Sequence, residues 1–336
     1  MSRVLQLLSH AGPGGVLTLA TSVAEGLATR GHAVETRSLR QHAGHILRTL
    51  PFGHYDAVIA YQVAAGLVGS LLGGAGGVPI RITQLTALPA AMRPHWRLLD
   101  RLFGTTGLHT AIIANSTATK ATIATYPAAY RARLHLIPHG VAPLPPGRGA
   151  DWRQRVGIAP TAPLLVSAGR LAPQKNQRLL LPVLAELPQS HLVIAGEGPL
   201  RDALSVEAAM LGVTGRLHLV GNLDAPTLAD LFAAADIFVF PSVWESFGLV
   251  AVEAGLAGLP VLAADLPVLR EVLAPASAHG MAAFAPPDSA AWAQDLKRLL
   301  ARPPAQERRK AAAAALHAAH GVPAMIEAYC RLLASK

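Results

Sequence analysis

Cysteine is all but missing from this chain of 336 residues: Cys330 stands alone. One thiol excludes an intramolecular disulfide framework and a cysteine-rich metal site, and it suits a reducing compartment. Aromatic residues make up only 5%. With no recognisable nucleic-acid motif, that scarcity argues against a base-stacking surface. No apolar run reaches the roughly 20 residues that span a bilayer. The opening MSRVLQLLSHAGPGG reads as a first strand running into a glycine turn rather than a leader peptide. Charged residues are sparse at 15%, yet 51% of the chain is hydrophobic, which is no composition for disorder. There is no DxD pair, no His/Asp cluster with ligand spacing, no short-period repeat and no low-complexity tract.

Acidic residues are scarce in one half. Residues 1–150 carry 13 Lys and Arg against 4 Asp and Glu, whereas residues 151–336 carry 16 of each. The formal net charge of +9 therefore belongs to the first half. Such an excess invites an anionic partner: a phosphorylated substrate, a membrane surface or nucleic acid.

What is present is a repeated strand–turn–helix pattern. Strand candidates in the first half are 4–9, 33–39, 57–62, 80–85, 111–116 and 133–138. The Pro/Gly-rich APLPPGRGA (142–150) reads as a linker. The pattern then restarts with short, continuously apolar strands at 163–169, 191–196, 216–221, 237–242 and 260–265. Helical spacing fills 200–211, 225–235 and 248–258, and Ala-rich helices close the chain at 304–320 and 323–334. Continuous apolar runs suit parallel strands covered on both faces. The expectation is an α/β protein of two Rossmann-like, doubly wound domains facing each other across a cleft, with chemistry in the loops after the strands. The expected bounds are 1–145, 146–310, and a C-terminal helix, 311–336, packing back on the first domain.

Three loops of the second half stand out. SAGRLAPQKN (167–176) puts Arg170 and Lys175 on one strand-to-helix connection, fit for a diphosphate or simply a solvated basic loop. AGEGPLRDAL (195–204) allows a tight turn around Glu197. In VFPSVWESFGLVAVEAG (239–255), Glu245 lies in a post-strand loop and Glu253 inside the following helix. The N–H groups at that helix start form an anion site. Glu253 sits in the apolar LVAVEAGLAGLPV, where a carboxylate is costly unless something polar meets it. That setting favours a ligand.

Taken together, G-R-L-x-x-x-K-N, G-x-G-P-L-R, F-x-x-P-S-x-x-E-S-F-G-L-V-x-x-E-A and G-x-P-V-x-A-x-D-x-P-x-x-R-E-V follow one another in an order and spacing that resemble the retaining glycosyltransferases of family 4, which have the GT-B fold. The match is close over 163–275 and looser in the first half, through GPGG, NSTATK (115–120) and IPHGV (137–141). The resemblance implies that Arg170 and Lys175 bind the donor diphosphate and that Glu245 meets the donor sugar. The Ser246–Phe247–Gly248–Leu249–Val250 turn would contact sugar and phosphate, and Glu253 the ribose. Gly221 to Leu223 would lie near the base, and Gly14 and Gly15 would let the first helix approach the phosphates. It implies no cofactor and no metal, the substrate being a nucleotide diphosphate sugar.

The glycines also admit a plain turn. A dinucleotide fingerprint ending on Glu35 fits poorly, because Leu17 stands at the third glycine position. Many relatives carry a histidine after the strand that here reads IRITQL; this chain has Gln84, Leu85 and Thr86 there, with His95 further on. His10 or Gln84 is the candidate for that acceptor-side place. Arg93, Arg97 and Arg101 fall four apart on a helix beside Trp96, Leu99 and Phe103. Upstream, Arg37, Arg40 and Arg48 surround Leu39, Ile46, Leu47, Leu50 and Phe52. Both stretches suit an interfacial element on an anionic leaflet, or a core face with solvated arginines.

The expectation is therefore a retaining transfer of a sugar from a UDP- or GDP-sugar to a hydroxyl of a glycan or lipid-linked acceptor, in cell-surface polysaccharide, lipopolysaccharide or glycolipid synthesis. The protein would be cytoplasmic, free or peripheral on the inner face of the membrane, without nucleic acid as a partner. Transfer to a small soluble sugar, or a non-catalytic sugar-nucleotide-binding subunit, is the alternative.

Overall fold

The computed structural model describes residues 1–12, 14–40 and 52–334. Two compact units divide it: residues 1–140 with 320–336, and residues 141–319. Each unit is built on a parallel six-stranded sheet. The first comprises β1 Arg3–Leu8, β2 Ala33–Ser38, β3 Ala57–Tyr61, β4 Ile80–Gln84, β5 Ala111–Ala114 and β6 Leu134–Leu136, in the order β2-β1-β3-β4-β5-β6. The second comprises β7 Leu164–Ala168, β8 His191–Ala195, β9 Leu217–Gly221, β10 Ile237–Phe240, β11 Val261–Ala264 and β12 Ala282–Ala285, in the order β12-β11-β10-β7-β8-β9. Among the described residues, the helices of eight or more residues are α1 Gly15–Ala28, α2 Val63–Ala75, α3 Pro94–Thr106, α4 Arg201–Met210, α5 Ala225–Ala234, α6 Leu249–Leu256, α7 Ser289–Ala301, α8 Gln306–His320 and α9 Val322–Ala334.

Eleven of these strands coincide with the strand candidates of the sequence, most of them apolar runs. AVIAY and IFVF are buried at every position, as parallel strands covered on both faces must be. Only β12 was not expected: AAFA lacks the β-branched residues that mark a strand. The first core gathers Leu8, Tyr61, Ile82 and Ile113 with Met325, Ile326, Tyr329 and Leu333 of α9. The second gathers Leu165, Ile194, Val239 and Leu262 with Leu181, Leu204, Trp292 and Leu296.

The expected linker is instead part of the second unit. Arg148 N–H donates to Asp230 Oδ1 of α5 (2.7 Å), and Trp152 Nε1 donates to Thr227 O (3.2 Å). The boundary therefore falls at 141 rather than 146, and the return to the first unit begins at 320 rather than 311. Strand order reverses between β1 and β3 in the first sheet and between β7 and β10 in the second. In doubly wound sheets ligands sit beyond the strand ends at such a reversal.

Candidate functional site

In the second unit, backbone hydrogen bonds stitch the loops after β7, β8 and β9 together. Gly169 N–H donates to Ala195 O (2.9 Å), Leu171 N–H to Glu197 O (2.9 Å), and Gly196 N–H to Gly221 O (2.7 Å). A side chain cannot be fitted at Gly196: its φ is +139°, and a Cβ there would lie 2.0 Å from Gly169 O. Arg201, at the start of α4, reaches Leu219 O (2.9 Å) and Glu197 Oε1 (3.2 Å), tying the second loop to the end of β9. Gly221 is thereby joined to this cluster, with the half-buried Leu223 two residues on.

The loop after β10 joins the same group. Lys175 Nζ lies 2.5 Å from Glu245 Oε1 and 4.7 Å from the centre of the Phe240 ring. Glu245 is only 6% exposed. The two loops are also fastened through Gln174, which donates from Nε2 to Trp244 O (3.1 Å) and accepts the Val243 N–H on its backbone oxygen (2.8 Å). Gln174 carried no sequence signal, since its role depends on a fold that brings residue 174 beside residue 244. Arg170 is exposed and forms no ion pair with a described residue, so it is a cation open to a ligand.

Gly248 caps α6 with φ +92°, a left-handed conformation, against Leu269 and Phe240. Helical bonds begin with Ala251 N–H to Gly248 O, so the amides of Leu249 and Val250 precede the ladder. Phe247 is buried and anchors the turn, Ser246 is half-buried, and Glu253 follows on α6. Burial pushes the Glu253 carboxyl up to about 7. One cation open to solvent, one cation shared with a carboxylate, a helix start and a half-buried acid thus lie on the loops after β7 and β10 and on α6. The Asp265–Arg270 pair of the last motif is an exposed ion pair, with the Arg270 guanidinium 5.0 Å from the Phe284 ring centre.

In the first unit Gly14 caps α1 and Gly15 opens it, both exposed. His10 follows β1, exposed, and lines a cavity of about 410 Å³ with Ala11, Gly12, Ser38 and Arg40. Gln84 is placed otherwise than expected. It is 3% exposed; its Oε1 accepts from Tyr329 OH (2.9 Å) and its Nε2 lies 3.2 Å from His139 Nδ1. Both ends of the amide are spent in the core, so Gln84 holds α9 to β4 rather than meeting an acceptor. Asn115 completes that chain, 3.1 Å from His139 Nε2, while Ser116 caps the next short helix through Thr119 N–H (2.9 Å). Burial depresses the His139 imidazole to about 3. The NSTATK and IPHGV motifs and Gln84 thus meet as one structural network.

The α3 stretch is amphipathic with its acid inward. Arg97 and Arg101 are exposed, as are Leu98 (67%), Leu99 (38%) and Leu102 (51%), while Trp96 and Phe103 are half-buried. Leu98 and Leu102 were not singled out by spacing. Asp100 points inward, accepting from Tyr130 OH (2.9 Å) and lying 3.6 Å from His109 Nε2, whose Nδ1 is 2.7 Å from Ser70 Oγ. This Ser–His–Asp line is buried at every member and serves as an anchor. Upstream, Arg37 pairs with Glu35 (2.6 Å) and Leu39 packs on the core. Ile46, Leu47, Arg48 and Leu50 lie outside the described residues, as does the side chain of Phe52. Among the described residues no three His, Cys, Asp or Glu side chains converge as a metal site would, and no helix is long and apolar enough to cross a membrane.

Known proteins resemble this chain in sequence and fold. The family described as glycosyl transferases group 1 matches residues 150–316. The D-inositol 3-phosphate glycosyltransferase of Mycolicibacterium vanbaalenii is 31% identical over 315 residues, 84% of this chain and 68% of that protein. Four further curated relatives are matched over only 38% to 54% of their own length. Among solved structures, Anabaena HepE in complex with UDP-glucose superposes with a TM-score of 0.82 at 22% identity, covering 100% of each chain. Sucrose-phosphate synthase from Thermosynechococcus elongatus gives 0.80 at 21% identity, covering 99% of this chain and 100% of that one. The fold is thus that of GT-B glycosyltransferases.

Proposed function

This chain belongs to the group 1 glycosyltransferases, and from that premise we propose that it transfers a sugar, with retention of configuration, from a UDP- or GDP-sugar to a hydroxyl of a glycan or lipid-linked acceptor. One observation carries the reading: Lys175 and Glu245 meet beyond the ends of β7 and β10, the strands that flank the reversal of the second sheet. Negative charge grows on the β-phosphate oxygen as its bond to the anomeric carbon breaks. Arg170, Lys175 and the amides of Leu249 and Val250 are preorganised donors for that charge. Glu245 faces the sugar and orients Lys175, and Glu253 takes the ribose hydroxyls. The anomeric carbon gains oxocarbenium character. The acceptor oxygen bonds on the face the phosphate leaves, and its proton passes to the departing phosphate oxygen. Nothing beyond the nucleotide sugar is required as a cofactor. That HepE has been solved with UDP-glucose supports a nucleotide-sugar donor.

A panel of UDP- and GDP-sugars should release free nucleoside diphosphate. Lys175→Ala should slow that release by roughly 10²–10³-fold, the effect of losing one electrostatic donor, and Glu245→Ala should do at least the same. Tight binding of a donor with no turnover of any would leave a non-catalytic sugar-nucleotide-binding subunit.

The first unit would take the acceptor, at an anionic membrane face. Leu98, Leu99 and Leu102, exposed beside Arg97 and Arg101, support that location. Liposomes containing anionic lipid should carry the protein in flotation, less so after Leu98→Ser with Leu102→Ser, and less at about 1 M salt, where charge is screened within about 3 Å. Equal recovery with neutral liposomes would count against it.

A further inference from the structure

Two non-glycine residues among those described have positive φ, Asn176 and Gln62. Asparagine visits the left-handed region readily. Gln62 is different: at φ +72° and ψ 152° it occupies a region nearly restricted to glycine, at a cost of roughly 1–3 kcal/mol. It follows β3 and caps α2, so it stands at the strand reversal of the first sheet, opposite the loop after β1.

Its side chain bridges that reversal. Gln62 Oε1 accepts the Ser9 N–H (3.0 Å), and its Nε2 lies 3.1 Å from His10 Nε2. Ser9 Oγ returns the tie by accepting the Ala65 N–H of α2 (3.1 Å). Because the amide oxygen is committed to Ser9, the amide group facing His10 is the NH₂, which can only donate. His10 Nε2 must then accept, and the ring proton resides on Nδ1. A Cβ added at Gly12 would lie 3.7 Å from that Nδ1, which places it on the glycine-turn side of the ring. The cavity lined by His10, Gly12, Ser38 and Arg40 opens there.

We propose that Gln62 is a positioning residue: it holds His10 in the Nδ1–H tautomer, so that the ring offers a hydrogen-bond donor to an oxygen of a ligand in the cavity beside the glycine turn, with Arg40 supplying charge. This rests on the reading that the first unit takes the acceptor. Gln62 keeps a strained backbone because a glycine would have no amide to set the tautomer.

The test is long-range ¹H–¹⁵N correlation on the full chain at pH 8, with His10 assigned by its loss in His10→Gln. The wild-type ring should show a protonated Nδ1. Gln62→Glu keeps an oxygen for Ser9 but turns a carboxylate oxygen toward His10, so the proton should move to Nε2. Gln62→Gly relieves the backbone and should unfold no earlier than wild type, yet lose the tautomer preference. A wild-type ring protonated on Nε2, or an Nδ1–H pattern unchanged in both variants, would overturn the proposal. The measurement needs no turnover, so it fails or succeeds apart from glycosyl transfer.

Discussion

Glu253 is the residue whose environment most plainly exceeds local need. Its folded-state pKa of about 7 lies above that of an unfolded glutamate, so the folded protein binds the proton more tightly. The associated stability is complete below about pH 4.5 and is lost as pH rises through about 7. Urea midpoints measured from pH 4.5 to 8 should fall, and Glu253→Gln should flatten the fall. Ribose hydroxyls would favour the carboxylate, so nucleoside diphosphate should bind more tightly at pH 8 than at pH 6, with proton release, and Glu253→Gln should remove that dependence; calorimetry in two buffers measures both. The burial of Glu253 was legible in the sequence, because an acid inside an apolar helix has apolar neighbours on every side. Lys175 and Glu245 were legible through their motifs. Gln174 and Gln62 were not, because a glutamine's task is set by the backbone groups that folding brings beside it.

Among elements, the loop after β8 is the least forgiving. Gly196→Ala would add a clash with Gly169 O to a strained φ, and it should cost at least about 2 kcal/mol in chemical denaturation while weakening nucleotide binding. The period of α3 was readable for Arg97 and Arg101, while Arg93 stands before the helix as its extended N-cap. Its inward face was not readable, since the partners of Asp100 come from residues 109 and 130. Asp100→Ala should therefore cost about 1–3 kcal/mol by stranding the buried Tyr130 hydroxyl. Asp100→Asn, which still accepts from Tyr130, should cost less; thermal melts of the two variants would rank them. Most strand positions were clear because buried parallel strands write themselves as apolar runs, whereas β12, AAFA, carried no such mark. The segment 142–150 was misread because Pro and Gly break periodicity equally in a linker and in a docked segment.

At the scale of the molecule, α9 belongs to the core of the unit at the other end of the sequence. A chain ending at Ala319 loses Met325, Ile326, Tyr329 and Leu333 from that core. Losses of about 2–5 kcal/mol for each large side chain exceed a typical total of 5–15 kcal/mol. Limited proteolysis should then degrade residues 1–140 while 141–319 stays resistant and still binds nucleotide. The uneven charge follows the same division, with the basic surplus in the unit proposed to take the acceptor.

This return of the chain has a consequence in time. Synthesis runs from the N-terminus, and domains fold as they emerge from the ribosome. Residues 1–140 appear first but lack their last core helix until about 190 further residues have been made, roughly 10–40 s later at 5–20 residues per second. The second unit, continuous from 141 to 319, has all of its own core before then. The half born first is finished last, and for that interval a chaperone would find its apolar α1 face uncovered where Ile326 will later pack beside Gly26.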